Sequence, residues 1–275
     1  MKELFDKISF KTSKMLTREY STSFSLAIRM FNKRFRDPVY GIYGFVRLGD
    51  EVVDTFHDYE KVKLLESLKN ETYESIEKGI SLNPLLNSFQ SVVNKYGIER
   101  ELIEIFFRSM EMDLYKKEYD PDDYEQYIVG SAEVVGLMCL RVITEGDNEK
   151  YRQLKPYARH LGSALQKINF LRDINTDYSM GRVYFPGIDI NSFTTESKRI
   201  IEKDIEDDMQ NGYSGMRQLP RNAEMGIYLA YKYFSVLLEK IKKTPPERLF
   251  KERIRISNAR KCWILLLTVM GVRQQ

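Results

Sequence analysis

Cysteine and histidine are nearly missing from this chain, with two of each in 275 residues. Cys139 and Cys262 stand in no metal-ligand or redox spacing, so two buried thiols in a reducing compartment are expected. An excess of charge is missing too: 43 Lys and Arg against 40 Asp and Glu leave no electrostatic case for a nucleic-acid binder. The opening MKELFDKISFKTSK lacks the apolar core of a secretory signal, which sets a cytoplasmic expectation. The longest apolar run, Cys262 to Val272, would span roughly 16 Å as a helix, about half of a bilayer's hydrocarbon thickness. It is expected to be a buried closing helix, with peripheral contact to a membrane face as the alternative. No Pro/Gly/Ser-rich stretch, repeat or composition shift divides the chain, so residues 1–275 read as one domain. Gly41, Gly44 and Gly49 fail the dinucleotide fingerprint in spacing and context.

What is present is helical periodicity almost everywhere, which predicts an all-α fold. Asp37-Pro38, Asn83-Pro84 and Asp120-Pro121 each put a capping side chain before a proline suited to the first helical position, so three helices are expected to begin there. Further helices are predicted at 12–30, 59–79, 99–117, 148–177, 195–211, 221–242 and 258–272. Gly181, Pro186 and Gly187 break the pattern, predicting a loop over Gly181 to Asn191.

Chemistry concentrates in two acidic stretches. In the first, Tyr43, Arg47, Asp50, Asp54 and Asp58 are spaced 4, 3, 4 and 4, which keeps them on one stripe of a helix. One such pair alone is ordinary solvated surface. The second stretch repeats the design with Gln166, Asn169, Asp173 and Asp177. If the stripes face each other with carboxylates about 6 Å apart, each pair repels by roughly 3 kcal/mol at an effective dielectric near 20, so a cation must lie between them. Oxygen ligands without His or Cys suit Mg2+, with Mn2+ as the alternative ion, and Mg2+ is commonly shared with substrate phosphates. Arg47, Arg172, Arg253 and Lys261 could then hold the outer oxygens of a diphosphate, because guanidinium forks match phosphate geometry.

Six segments occur in order: STSFSLAIRMF, YGIYGFVRLGDEVVD, NPLLNSF, MEMDLYKKEYD, YIVGSAEVVGLM and QKINFLRDINTDYSMGRVYFP. In this the chain resembles the squalene/phytoene synthase family over most of its length. The resemblance implies an all-α, single-domain class I isoprenoid synthase bundle around an apolar cavity, in which Asp50, Asp54, Asn169, Asp173 and Asp177 bind Mg2+ bridged to prenyl diphosphates. It further implies substrate contacts from Ser21, Ser23, Phe24, Tyr127, Gln166, Asn169, Arg172, Tyr233, Arg253 and Lys261, and catalytic roles for Tyr43, Arg47 and the four aspartates. Glu133 departs from the family, which commonly has glycine there, and is either a buried group needing a partner or a helix-surface residue.

The implied reaction is head-to-head condensation of two geranylgeranyl diphosphates, through a cyclopropylcarbinyl diphosphate, to phytoene in carotenoid biosynthesis, without NADPH. The alternatives are a C30 squalene or dehydrosqualene synthase using farnesyl diphosphate, a non-catalytic lipid- or protein-binding relative, and head-to-tail chain elongation, which usually carries DDxxD. The cation must be shielded from water, and the expected lining is Phe24, Ile28, Tyr40, Val134, Val135, Leu137, Met138, Leu165 and Ile168. Modest Ile28 favours a C20 chain.

Overall fold

A computed structural model describes residues 1–188 and 193–271. Thirteen helices account for the described architecture: α1 (Lys2–Tyr20), α2 (Thr22–Met30), α3 (Lys33–Asp54), α4 (Lys61–Lys78), α5 (Pro84–Tyr96), α6 (Arg100–Tyr115), α7 (Pro121–Ile128), α8 (Val134–Ile143), α9 (Asn148–Ser179), α10 (Thr195–Met216), α11 (Arg221–Lys242), α12 (Pro246–Leu249) and α13 (Asn258–Val269). A π-helical turn, Val129–Glu133, joins α7 to α8. Among the described residues no strand forms, and Glu118 and Val183 make an isolated bridge.

Capping explains where the sequence reading holds and where it fails. Asn83 and Asp120 cap α5 and α7 through Leu85 N–H and Asp123 N–H, each with proline next, as expected. Asp37-Pro38 does not start a helix. Asn32 caps α3 by accepting from Arg34 N–H, and Pro38 falls inside the helix. The helix expected at 12–30 is two, because Ser21 is extended (φ −144°, ψ 102°) and its Oγ accepts from Phe24 N–H, capping α2. The loop over 181–188 is as predicted; residues 189–191 lie outside the described residues.

α3, α5, α6 and α8 share one core cluster, in which Phe45 stacks on Phe89 with centroids 3.8 Å apart, and Phe106 and Phe107 meet it edge-on or tilted. Each such pair contributes about 1 kcal/mol beyond the area it buries. α7, α9, α10 and α11 share a second cluster. Between the π turn and α9 and between α9 and α10 the segments touch through main chain: a Cβ at Gly162 would lie 2.9 Å from the Ala132 carbonyl oxygen, and one at Gly212 would lie 3.1 Å from Leu161 Cα.

The closing helix is not buried. Only Ile264 and Thr268 of α13 are enclosed, whereas Trp263, Leu266, Val269 and Met270 are each more than half exposed. Cys262 is exposed as well, while Cys139 is half-buried, so the expected pair of buried thiols is corrected to none fully buried. Pro121–Ile143 is the one stretch among the described residues long and apolar enough to cross a membrane by length and composition, and 56% of its most apolar window is buried inside the bundle.

Candidate active site

Helices α3 and α9 both carry their aspartates at the C-terminal end, and both present them to a cavity of about 520 Å³. Asp50, Asp54, Asp173, Asp177, Tyr43, Arg47, Ser21, Phe24, Tyr127, Gln166, Asn169, Arg172 and Arg253 all line it. Away from the aspartates the lining turns apolar, with Ile28, Val39, Ile143 and Leu154. A polar mouth thus opens into a hydrophobic interior.

Burial, then the nearby Asp54 charge, raises the Asp50 carboxyl to about 7, against the opposing pull of Arg47. The same causes, burial followed by Asp173 and Asp54, raise Asp177 to about 8. Asp177 feels Asp54 although they sit on different helices, so the two acidic stripes do converge. Tyr43 is pushed up to about 12 by burial and by Asp50.

Arginines meet the other acids. Arg253 Nε is 2.6 Å from Asp173 Oδ1, and Arg172 forks onto the same carboxylate at 2.5 and 3.0 Å. Arg47 pairs with Glu51, lies 3.8 Å from Asp50, and stacks on the Tyr20 ring at 4.2 Å. Among the described residues no three His, Cys, Asp or Glu side chains form a ready metal cluster. The donors nevertheless suit a hard divalent cation: they are all oxygen, burial and neighbouring carboxylates raise the pKa of Asp50 and Asp177, and the buried Asn169 Oδ1 has no hydrogen-bond partner.

Three expected contacts are corrected. Tyr233 is 1% exposed, packs with Leu229 and Ile264 away from the cavity, and donates to the Lys261 carbonyl. Ser23 falls off the cavity-facing stripe of α2, which runs through Ser21, Phe24, Ala27, Ile28 and Phe31. Lys261 does not line the cavity; its ammonium contacts Thr22 Oγ1, and burial followed by repulsion from Arg172 and Arg255 lowers its pKa.

The lining is corrected in register. Val134, Leu137 and Met138 are core residues that do not line the cavity, and the wall comprises Tyr127, Ser131, Ala132, Val135, Gly136, Cys139, Leu140 and Ile143. Steps of three and four keep this set on one helical face. Tyr40 and Ile168 are also core rather than wall, whereas Ile28, Val135 and Leu165 line it as expected. Glu133 is half-buried and has a partner: its side chain is 13% exposed and accepts from Arg159 Nε at 2.5 Å.

Sequence reasoning missed a network behind the aspartates. Asp113, with a side chain 2% exposed, accepts from the hydroxyls of Tyr119 (2.9 Å), Tyr127 (2.6 Å) and Tyr184 (2.9 Å). Arg182 joins it to the site, donating to Asp54, to the Val53 carbonyl and to the Asp113 carbonyl. The signal was in view, since Asp113 and Tyr119 stand in MEMDLYKKEYD and Arg182 and Tyr184 in MGRVYFP.

The squalene/phytoene synthase family model matches residues 17–260. The chain belongs to this family. It is 27% identical over 198 residues to a 4,4'-diapophytoene synthase of Staphylococcus haemolyticus, covering 69% of this chain and 66% of that one. It is 27% identical to a phytoene synthase of Rhodobacter capsulatus, covering 93% and 79%. With a presqualene diphosphate synthase of Rhodopseudomonas palustris it shares 29% over 60% of this chain and 58% of that one. The matches thus span between 58% and 79% of these relatives' own lengths. In fold, it superposes on a dehydrosqualene synthase with a TM-score of 0.79 at 19% identity, covering 98% of both chains. It superposes on the squalene synthase HpnC of Alicyclobacillus acidocaldarius with a TM-score of 0.75 at 20% identity, covering 86% of this chain and 94% of that one. These likenesses establish the class I isoprenoid synthase helical fold.

Proposed function

We propose that this protein is a prenyltransferase that joins two allylic prenyl diphosphates head to head, with geranylgeranyl diphosphate as substrate and phytoene as product in carotenoid biosynthesis. The observation that carries the reading is the convergence of two aspartate stripes and three arginines, Arg47, Arg172 and Arg253, at the mouth of an apolar cavity. Asp50, Asp54, Asn169, Asp173 and Asp177 would hold Mg2+, which when bound neutralises diphosphate oxygens and so stabilises the leaving group. Arg47, Arg172 and Arg253 lie where they can grip the same oxygens by bidentate hydrogen bonds.

The carbon–oxygen bond of the first diphosphate breaks with both electrons going to oxygen, leaving an allylic cation. The double bond of the second substrate attacks it, and proton loss gives a cyclopropylcarbinyl diphosphate. Ionisation of that intermediate, rearrangement and loss of a further proton end the reaction without NADPH. Phe24, Ile28 and Val135 keep water from these cations, and the aromatic ring offers a π face.

A second reading, farnesyl diphosphate giving a C30 product, is favoured by the likeness to the diapophytoene synthase. Incubating purified protein with Mg2+ and the C15 or C20 diphosphate, with and without NADPH, and identifying the hydrocarbon, separates the two. Absence of any condensation product would leave the non-catalytic reading.

We place the enzyme in the cytoplasm, docked on an anionic bilayer. The exposed apolar face of α13 continues from segment 240–261, which holds Lys240, Lys242, Lys243, Arg248, Lys251, Arg253, Arg255, Arg260 and Lys261 against Glu247 and Glu252. That pairing of cationic segment and exposed Trp263 suits a lipid interface.

A further inference from the structure

The cavity runs inward from its aspartate-lined mouth, and α2 lines it over the helix's whole length. Its wall-facing residues begin with Ser21, which bonds Tyr43 beside the aspartates, and end ten residues later with Phe31, roughly 15 Å further along the helix axis. On α3, Val39 precedes Tyr43 by about one turn, roughly 6 Å, and so lines the stretch between the mouth and Phe31. α11 reaches Phe31 itself, bringing Gly226.

Phe31 rests directly on Gly226. A Cβ at position 226 would lie 2.6 Å from Phe31 Cδ1 and 2.7 Å from Cε1, closer than any side chain tolerates. Gly226 lies within α11, where glycine is disfavoured against alanine, so its service is to leave room for the ring. The ring is held from its own backbone as well: Phe31 N–H donates to the Ile28 carbonyl at 3.2 Å, and Arg36 Nε donates to the Phe31 carbonyl at 2.8 Å. Phe31 is 7% exposed and therefore cannot swing into solvent.

We propose that Phe31, seated on Gly226, is the stop that sets how long a prenyl chain the cavity admits. This rests on the prenyl diphosphate reading above. Prenyl chains differ in steps of five carbons, and a chain with its diphosphate at the mouth meets this ring end-on. Removing the ring deepens the cavity; adding a methyl group behind it drives the ring inward and makes the cavity shallower.

The test compares kcat/KM for the C15, C20 and C25 diphosphates in the wild type, Phe31→Ala, Gly226→Ala and the double variant. Phe31→Ala should shift the longer-to-shorter preference upward by at least about tenfold, and Gly226→Ala should shift it downward, the scale at which a hydrophobic pocket resolves a few methylene groups. In the double variant Gly226→Ala should lose its effect, because the atoms it strikes are gone; a merely destabilising role would persist. Phe31→Leu serves if Phe31→Ala does not fold. An active Phe31 variant with unchanged preference, or an undiminished Gly226→Ala effect in the double variant, overturns the stop and leaves the enzymatic reading intact. Wild-type protein that consumes none of the three diphosphates overturns both.

Discussion

Arg182 Nη1 lies 2.6 Å from Asp54 Oδ1, across 128 residues of sequence. This one contact ties the loop after the second aspartate pair to the end of the helix carrying the first. Because Arg182 also donates to the Val53 and Asp113 carbonyls, the two acidic stripes are fixed to each other through the polar network behind them.

Replacing Arg182 by Met should therefore do more than weaken a surface pair. The Arg182 and Asp113 side chains are 9% and 2% exposed, and the variant leaves Asp113 without its neighbouring positive charge. A loss of about 3 kcal/mol in unfolding free energy is expected, read from urea denaturation. A loss under 0.5 kcal/mol would show that the network carries little stability.

Asp54→Ala and Asp173→Ala should each abolish turnover while circular dichroism still reports a folded helical protein. Mg2+ should raise the melting temperature of the wild type, since a ligand bound to the folded state alone stabilises it. The increase should be lost in both variants. Full turnover in either one, or an equal Mg2+ effect on its melting, would remove these carboxylates from the site.

Asp208 supplies a pH prediction away from the cavity. Burial alone would raise its pKa, but hydrogen bonds from Lys167 (2.8 Å), Ser163 (2.6 Å) and His160 (2.7 Å) outweigh burial and hold it below the usual carboxylate range. A depressed folded pKa gives stability that is present above the unfolded value and disappears as pH falls through the folded one. Asp208→Asn should cost about 1–3 kcal/mol at pH 7, and less as the pH drops below about 4. A pH-independent cost would point to shape rather than charge.

Flotation with phosphatidylglycerol vesicles tests the α13 face. Wild-type protein should float, Trp263→Ser/Leu266→Ser should float several-fold less, and neutral phosphatidylcholine should recruit neither well. Failure to float, or a dimer that covers Trp263 in solution, would assign this face to something other than lipid.

The fold and most of the mouth were legible in the sequence because they rest on local rules. Asp50 and Asp54, and Asp173 and Asp177, share a face by helical spacing alone, and Asn83 and Asp120 announce their helices by capping. What escaped depends on distant partners or on which way a helix faces. Asp113 looks like any polar helix residue until three tyrosines arrive from elsewhere. The cavity wall of α8 is Val135, Cys139 and Ile143 rather than Val134, Leu137 and Met138, because on a helix apolar all round composition does not tell one buried face from another. Ser21 separates two helices, yet an N-cap serine and an interior serine are spelled alike, and the apolar content of α13 does not say which way that helix faces.

The glycine contacts of α9 constrain how such an enzyme can diverge. Where Gly162 meets the carbonyl of Ala132 and Gly212 meets Leu161, neighbouring helices meet at the main chain. Any larger residue at either glycine forces whole helices apart. Inherited variation in cargo size must therefore leave these two positions alone and work through removable wall side chains such as Ile28, Val135 and Leu154.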